Sequence, residues 1–380
     1  MTADTGHTGP IAFLDLAAQQ RRIGPALRQR IDTVLEHCRF VMGPEVQELE
    51  DRLAAFAGAK ACVGVSSGTD ALQIVMMAEN IGPGDAVFLP AFTYTATAEV
   101  PLVLGATPVF VDVDPLTFQI DPQSLRQRIA DVRRAGTLTP RAVTGVDLFG
   151  QPAPWDELRA IAEEEKLFLL DDCAQSFGGS YHGRKLGREA TATTLSFFPS
   201  KPLGGYGDGG AILTDDEERA ELYRSLRTHG EGKTRYEVLR TGMNGRLDTL
   251  QAAVLLAKLD GFEEELARRE EIARAYDAGL AGAVTIPGRV PDSASAWAVY
   301  AVLLRDEAER GTVQDRLKSH GVPSAIYYPM PLHRQPAYRP HHDGAALPVS
   351  EDLSTRIMAL PIHPELTDTE VARVIAAVRG

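Results

Sequence analysis

The chain has 380 residues, 44% of them hydrophobic and 24% charged, and its 39 basic against 52 acidic residues give a formal net charge of −13. That length favours two domains over a single core. The acidic balance argues against a nucleic-acid partner while leaving room for a local basic site. Cys38, Cys62 and Cys173 are odd in number and far apart, so reduced thiols are expected, with neither a disulfide framework nor a metal cluster. The start, MTADTGHTGP, lacks the pattern of a secretion signal. No apolar run reaches the roughly 18 residues that span a bilayer, so a cytoplasmic location away from membranes is expected.

In chain order, residues 1–10 read as a polar tail, 11–255 as a large domain and 256–380 as a smaller C-terminal α/β domain. Short β-prone runs occupy 61–67, 86–91, 107–113, 142–148, 167–172, 193–198 and 209–214, and helical segments such as 69–81 and 154–166 lie between them. Several runs are almost continuously apolar, as strands covered on both faces are. The alternation predicts an α/β layer sandwich with a mostly parallel sheet. The loop between the last two runs is too short for a helical crossover, so that pair is expected to break the parallel pattern. Beyond residue 215 the sequence predicts a helix ending at Gly230 and a long helical stretch over 246–282 with a break at Gly261. Strands at 296–304 and 324–329 and a final helix over 367–379 complete the chain.

Ligands of open α/β sheets bind outside the carboxyl ends of the strands, and three features fall there. Ser66, Ser67 and Gly68 close the first run and Thr69 opens a helix, which makes either an anion cradle or a simple helix cap. Asp171 and Asp172 end the fifth run. Neighbours on a strand point to opposite faces, so one of the two faces the site unless both are solvated loop acids. Lys201, which alone would read as a surface lysine, follows SFFPS at the end of the sixth run. A lysine amine, a semi-buried carboxylate and a phosphate-binding helix end are together the parts that hold pyridoxal 5'-phosphate. They serve as Schiff-base former, pyridinium partner and phosphate cradle. GYGDGG at 205–210 formally matches a dinucleotide fingerprint but runs into a strand instead of opening a helix. Its glycines are expected to permit tight turns and close backbone approach.

The segments FLDLAAQQ, GPEVQELE, SSGTDAL, PAFTYTATAE, DDCAQSFG, SFFPSKPLGGYGDGGAI and MNGRLDTLQAA, in this order, resemble the DegT/DnrJ/EryC1/StrS family. The likeness runs from about residue 11 to the C-terminal LPIHPELTDTEV. It implies a fold-type I, pyridoxal-phosphate-dependent sugar aminotransferase. The implied fold is a three-layer αβα domain with a mostly parallel seven-stranded sheet and a smaller C-terminal domain. By the resemblance, Lys201 matches the Schiff-base lysine, Asp172 the pyridinium partner, Gln175 a residue beside the ring and Tyr94 an aromatic that stacks on it. Gly68, Thr69 and Ser196 match phosphate contacts, and Asn244 one that reaches the phosphate from a neighbouring subunit, which implies a homodimer. Asp171 stands where the family commonly has Glu.

FTYTATAE, RLDTLQAA and YYPMPLHRQPAY are most similar to a branch that aminates C3 of UDP-2-acetamido-2-deoxy-3-oxo-glucuronate with L-glutamate, releasing 2-oxoglutarate. Such a keto nucleotide-sugar is anionic. Arg224, Arg227, His229, Lys233, Arg235, Arg240 and Arg246, against Glu231 and Glu237, form a basic segment that suits it or is a solvated loop. Arg246 is the first candidate substrate contact, with Tyr328 and His333 from the C-terminal domain beside it. Amination of another UDP- or dTDP-keto-sugar at C3 or C4, and a non-catalytic regulator that binds the cofactor, remain as alternatives.

Overall fold

The computed structural model describes residues 9–380 except residue 235, so Arg235 of the basic segment and residues 1–8 of the expected tail lie outside the described residues. Helices α1 (Leu16–His37) and α2 (Pro44–Ala57) precede the sheet. Then follow β1 (Ala61–Val65), α3 (Gly68–Ala78), β2 (Asp85–Pro90), α4 (Ala96–Val103), β3 (Thr107–Val111), α5 (Pro122–Ala135), β4 (Thr139–Val146), α6 (Trp155–Glu165) and β5 (Phe168–Asp172). Two-residue strands β6 (Ser180–Tyr181) and β7 (Arg184–Lys185) come before β8 (Ala192–Ser196) and β9 (Gly210–Thr214).

The main sheet has seven strands in the order β1-β9-β8-β5-β4-β2-β3. β9 is antiparallel to β1 and β8, the irregularity expected from the short loop, and the remaining pairs are parallel. Side chains alternate between two cores, as a period of two requires. Phe88, Val109, Val143, Leu169 and Leu195 pack on one face with Leu49 of α2, Leu125 of α5 and Leu158 of α6. Val87, Phe110, Ala142, Leu170 and Ile212 pack on the other with Leu72 and Val75 of α3. Tyr223 of α7 (Glu217–Arg227) joins that second core. The strands are apolar on both faces because helices cover both.

α8 (Thr249–Leu259) and α9 (Phe262–Leu280) break at Gly261 as expected. The rest comprises β10 (Ser293–Ala294), β11 (Tyr300–Leu303), α10 (Glu307–Ser319), α11 (Pro348–Arg356), β12 (Ile357–Leu360) and α12 (Asp368–Arg379). Tyr276, Trp297, Tyr300, Leu317, Met358 and Val374 form its core.

Three expectations change. α7 ends at Arg227, because Thr228 leaves helical geometry at φ −120 and ψ 58. The strand at 296–304 narrows to Tyr300–Leu303. Residues 324–329 form no strand beyond an isolated bridge between Ala325 and Ala359. β11 pairs instead with β12, four residues directly after α11 that carry too short a signal to stand out. Among the described residues no helix is long and apolar enough to cross a membrane.

Candidate active site

The register of the sheet brings the sequence candidates together. Asp172 pairs with Thr194 across β5 and β8, Ser196 with Gly210 across β8 and β9, and Gly210 with Val65 across β9 and β1. Ser196 therefore lies beside the turn that starts α3. Ser67 caps that helix, its hydroxyl accepting from the Asp70 N–H at 3.0 Å. The Ser66 hydroxyl donates to the Asp70 carboxylate and holds that charge in place. Among the described residues no acceptor meets the N–H groups of Gly68 and Thr69, the orphan donors of a helix start. Gly68 approaches so closely that a Cβ there would lie 2.7 Å from the Ser196 Cβ. Helix end and strand end thus form one small concave surface rich in donors.

The loop between β8 and β9 is folded tightly. Phe197 accepts from the Gly205 N–H at 2.7 Å and donates to the Gly209 carbonyl at 2.8 Å, and the Lys201 N–H donates to Phe198 at 2.8 Å. Gln251 on α8 accepts from the Tyr206 N–H at 2.8 Å. Among residues 204–210 no glycine has a positive φ. A Cβ at Gly204 would instead lie 2.5 Å from the Pro199 carbonyl oxygen. Of the two properties expected of these glycines, close approach is the one the loop uses.

A cavity of about 470 Å³ opens here, and Gly68, Thr69, Tyr94, Asp172, Gln175, Ser196, Lys201 and Tyr328 all line it. Asp172 is 8% exposed. Its carboxylate accepts from the Ala174 N–H at 3.2 Å and from the Thr97 hydroxyl at 3.4 Å. Burial raises its pKa, against the lowering pull of Lys201 and these two donors. Burial lowers the Lys201 amine in turn, and Asp172 partly restores it. Lys201 has no ion-pair partner among the described residues, so amine and carboxylate share the cavity with room between them. Gln175 accepts from the Phe149 N–H at 2.9 Å and donates to the Tyr328 hydroxyl at 3.4 Å, which fixes its amide. Tyr94 is 54% exposed at the rim, a face open to stacking.

Asp171 is fully buried on the opposite face. It accepts from the Thr193 hydroxyl at 3.0 Å, while its Oδ1 has no partner. Neither acid is a solvated loop residue.

Other candidates lie elsewhere. His333 is not among the residues lining the cavity; it is buried under Phe110 and meets Glu351 at 3.0 Å. Asn244 is exposed and Arg246 partly buried, and neither lines the cavity of its own chain. Arg227 of the basic segment is a structural residue. It is 4% exposed and donates to Glu50 at 2.5 Å and to the Gly64 carbonyl at 2.7 Å. The cavity also has walls to which the motifs gave no role: Phe13 and Leu14 from the N-terminal segment, Arg269 from α9, and Ala298 and Val299 before β11. Arg269 sits in an RREE run that looks like solvated charge. The signal was its place between Leu266 and Ala273, three and four residues away on the apolar stripe of α9.

Residues 21–379 match the model of the DegT/DnrJ/EryC1/StrS aminotransferase family. The chain belongs to that family. It is 47% identical over 370 residues to the UDP-2-acetamido-2-deoxy-3-oxo-D-glucuronate aminotransferase of Pseudomonas aeruginosa, covering 97% of this chain and 99% of that one. A DegT DnrJ EryC1 StrS aminotransferase from Brucella abortus superposes with a TM-score of 0.95 at 44% identity, covering 97% of this chain and 99% of that chain. NtdA from Bacillus subtilis, solved with bound cofactor PMP, gives a TM-score of 0.86 at 29% identity, covering 94% and 81% of the two chains. This protein is therefore a sugar aminotransferase with the fold-type I architecture.

Proposed function

We propose that this aminotransferase uses pyridoxal 5'-phosphate to move an amino group from L-glutamate to C3 of UDP-2-acetamido-2-deoxy-3-oxo-glucuronate. The observation that carries the chemistry is the meeting of Lys201, Asp172 and the Gly68–Thr69 helix start in one cavity. The substrate rests on the likeness to the Pseudomonas aeruginosa enzyme over nearly the full length of both chains.

The residues present fit the cofactor. Gly68 and Thr69 offer N–H groups that meet no acceptor among the described residues, with the Ser196 hydroxyl beside them, and such a helix start favours a phosphate dianion. Tyr94 offers an exposed ring at the cavity rim. When bound, the cofactor supplies a carbonyl that exchanges nitrogen and a ring that withdraws electrons. Asp172 would keep the ring nitrogen protonated; its burial makes a cationic partner in the cavity favourable. Burial of Lys201 raises the fraction of neutral amine near pH 7, which suits it to attack a carbonyl and to carry a proton to and from the donor's Cα. Glutamate leaves as 2-oxoglutarate, and the sugar ketone becomes an amine by the reverse steps.

Asn244 and Arg246 lie outside the cavity of their own chain, and Asn244 is exposed. We assign both to the cavity of a second copy in a homodimer, where Arg246 would meet an anionic group of the sugar nucleotide.

The test is a pair of half-reactions. Purified protein should be yellow, borohydride should fix the cofactor to Lys201, and L-glutamate should discharge the visible band. UDP-2-acetamido-2-deoxy-3-oxo-glucuronate should restore it. Restoration by a 4-keto nucleotide-sugar alone would overturn the C3 assignment and leave the aminotransferase standing. A yellow protein inert to every donor would favour the regulatory alternative.

A further inference from the structure

Four charged residues line the cavity: Asp172, Lys201, Asp208 and Arg269. The first two have roles in the proposed chemistry, which leaves Arg269 as the remaining cation of the wall. It is 4% exposed. Its Nη1 donates to the Trp297 carbonyl at 3.0 Å and to the Ile362 carbonyl at 3.1 Å, while its Nε has no partner. The nearby acids are committed elsewhere. Glu265 accepts from the Gln19 amide at 3.1 Å and pairs with Arg22, and Glu365 pairs with Arg22 at 3.0 Å. Among the described residues Arg269 has no ion pair.

A buried guanidinium without an anion is costly, and buried charges are as a rule paired. Arg269 is also held in one orientation, because two backbone carbonyls on separate segments grip the same nitrogen. Phe13, Leu14, Leu360 and Ile362, which line the same cavity, are apolar, and apolar walls keep the local dielectric low and strengthen a charge pair formed there. Neither carboxylate of the wall, Asp172 or Asp208, forms an ion pair with Arg269 among the described residues. The substrates of the proposed reaction offer an anion, since L-glutamate carries an α-carboxylate and a uronate sugar a carboxylate of its own.

We propose that Arg269 is the carboxylate anchor of the cavity, pairing with the carboxylate of the substrate bound over Lys201. This rests on the aminotransferase reading and extends it to a named contact. The guanidinium fork meets a carboxylate through two parallel hydrogen bonds, and its remaining nitrogen is already fixed by the protein. A lysine would have to release the two carbonyls in order to reach the anion.

The experiment compares the parent holoenzyme with Arg269→Lys and Arg269→Gln, each first shown by thermal melting to be folded. The cofactor band is followed with three amino donors: L-glutamate, the UDP-3-amino-uronate, and a UDP-3-amino-sugar with a hydroxymethyl group in place of the carboxylate. For a carboxylate-bearing donor, kcat/KM should fall about 10- to 100-fold, mostly through KM, as loss of a charge-assisted pair predicts. The loss should be at least about tenfold smaller for the carboxylate-free sugar. Loss confined to L-glutamate assigns the contact to the donor, loss confined to the uronate assigns it to the sugar, and loss on both arms makes it shared. Equal losses on all three arms, as a merely structural arginine would give, overturn the proposal. Calorimetric titration of glutarate, which cannot react, gives a second readout: binding should weaken in both variants, and unchanged binding also overturns the proposal. If the parent band responds to none of the three donors, the aminotransferase reading itself has failed, while the glutarate titration still judges Arg269.

Discussion

Asp171 and Asp172 are adjacent on β5, and their carboxyl groups lie on opposite faces of the sheet. Asp172 faces the cavity, whereas Asp171 faces Asp147 and Cys173, with ligand atoms of these three within 4.8 Å of one another. Asp147 already accepts from the Ala153 N–H at 2.7 Å, the Trp155 indole at 3.0 Å and the Ser176 hydroxyl at 2.7 Å. The Oδ1 of Asp171 has no partner, and burial together with the nearby Asp147 charge favours the neutral form of Asp171.

That pairing has a pH signature. Burial raises Asp147 to about 7 and Asp171 well above the ordinary carboxylate value. Groups raised in the folded state contribute stability below their unfolded pKa and lose it as pH rises through the folded value. For Asp147 that loss falls between about pH 4 and pH 7, so this pair should make the parent unfold at lower urea near pH 8 than near pH 5. Asp171→Asn preserves the shape of the neutral acid and should flatten this fall. An unchanged slope in the variant would contradict a protonated Asp171.

The proposed phosphate cradle makes a steric prediction. In Gly68→Ala the new Cβ meets the Ser196 Cβ at 2.7 Å and its Oγ at 3.1 Å. Overpacking of this kind costs about 1–3 kcal/mol. The cofactor dissociation constant should rise about tenfold or more, and the double variant Gly68→Ala with Ser196→Gly should recover part of the stability though not the hydroxyl contact. Melting temperatures and cofactor titrations of the two variants separate packing from ligation.

Glu50 and Arg227 form a buried ion pair with side chains 3% and 5% exposed. Glu50 also accepts from the Gly64 N–H at 2.8 Å, so the pair ties α2 and α7 to β1. Arg227→Met leaves a buried carboxylate unpaired and should cost about 3–5 kcal/mol in urea unfolding. Adding Glu50→Gln should restore part of that loss. Were Arg227 a ligand residue on a mobile loop, the single variant would leave stability unchanged.

The seven strands of the main sheet were legible because burial on both faces leaves a continuous apolar run. The convergence of Lys201, Asp172 and the Gly68–Thr69 turn on one cavity was legible because each lies at the carboxyl end of a recognisable strand run. The C-terminal region was harder to read. β12 is four residues long, and the aromatic stretch at 324–329 packs by side chains, with Tyr328 against Phe92 at 5.8 Å, instead of by strand pairing. Charge alone does not reveal burial. Arg227 and Arg269 sit in charged runs, yet both are buried, and only tertiary contacts reveal whether a basic residue is solvated, gripped by carbonyls or paired. His333 shows the converse: a histidine between prolines and arginines looks available, but Glu351 and Phe110 enclose it.

Asn244 supplies the last test, because a residue exposed on one chain can complete the cavity of another. Asn244→Asp would place a carboxylate where a phosphate is proposed to bind, and Lys201→Ala removes the amine; each variant alone should be nearly inactive. Unfolding and refolding an equal mixture produces mixed dimers in which one cavity combines an intact Lys201 with the other chain's intact Asn244. If half of the dimers are mixed and each holds one intact cavity, activity should return to about one quarter of the parent's. If Asn244 serves its own chain's cavity, every cavity in the mixture carries a defect, and activity stays at the level of the separate variants. The two outcomes differ by an order of magnitude or more, given the ~10²-fold or greater loss expected on removing a catalytic proton carrier.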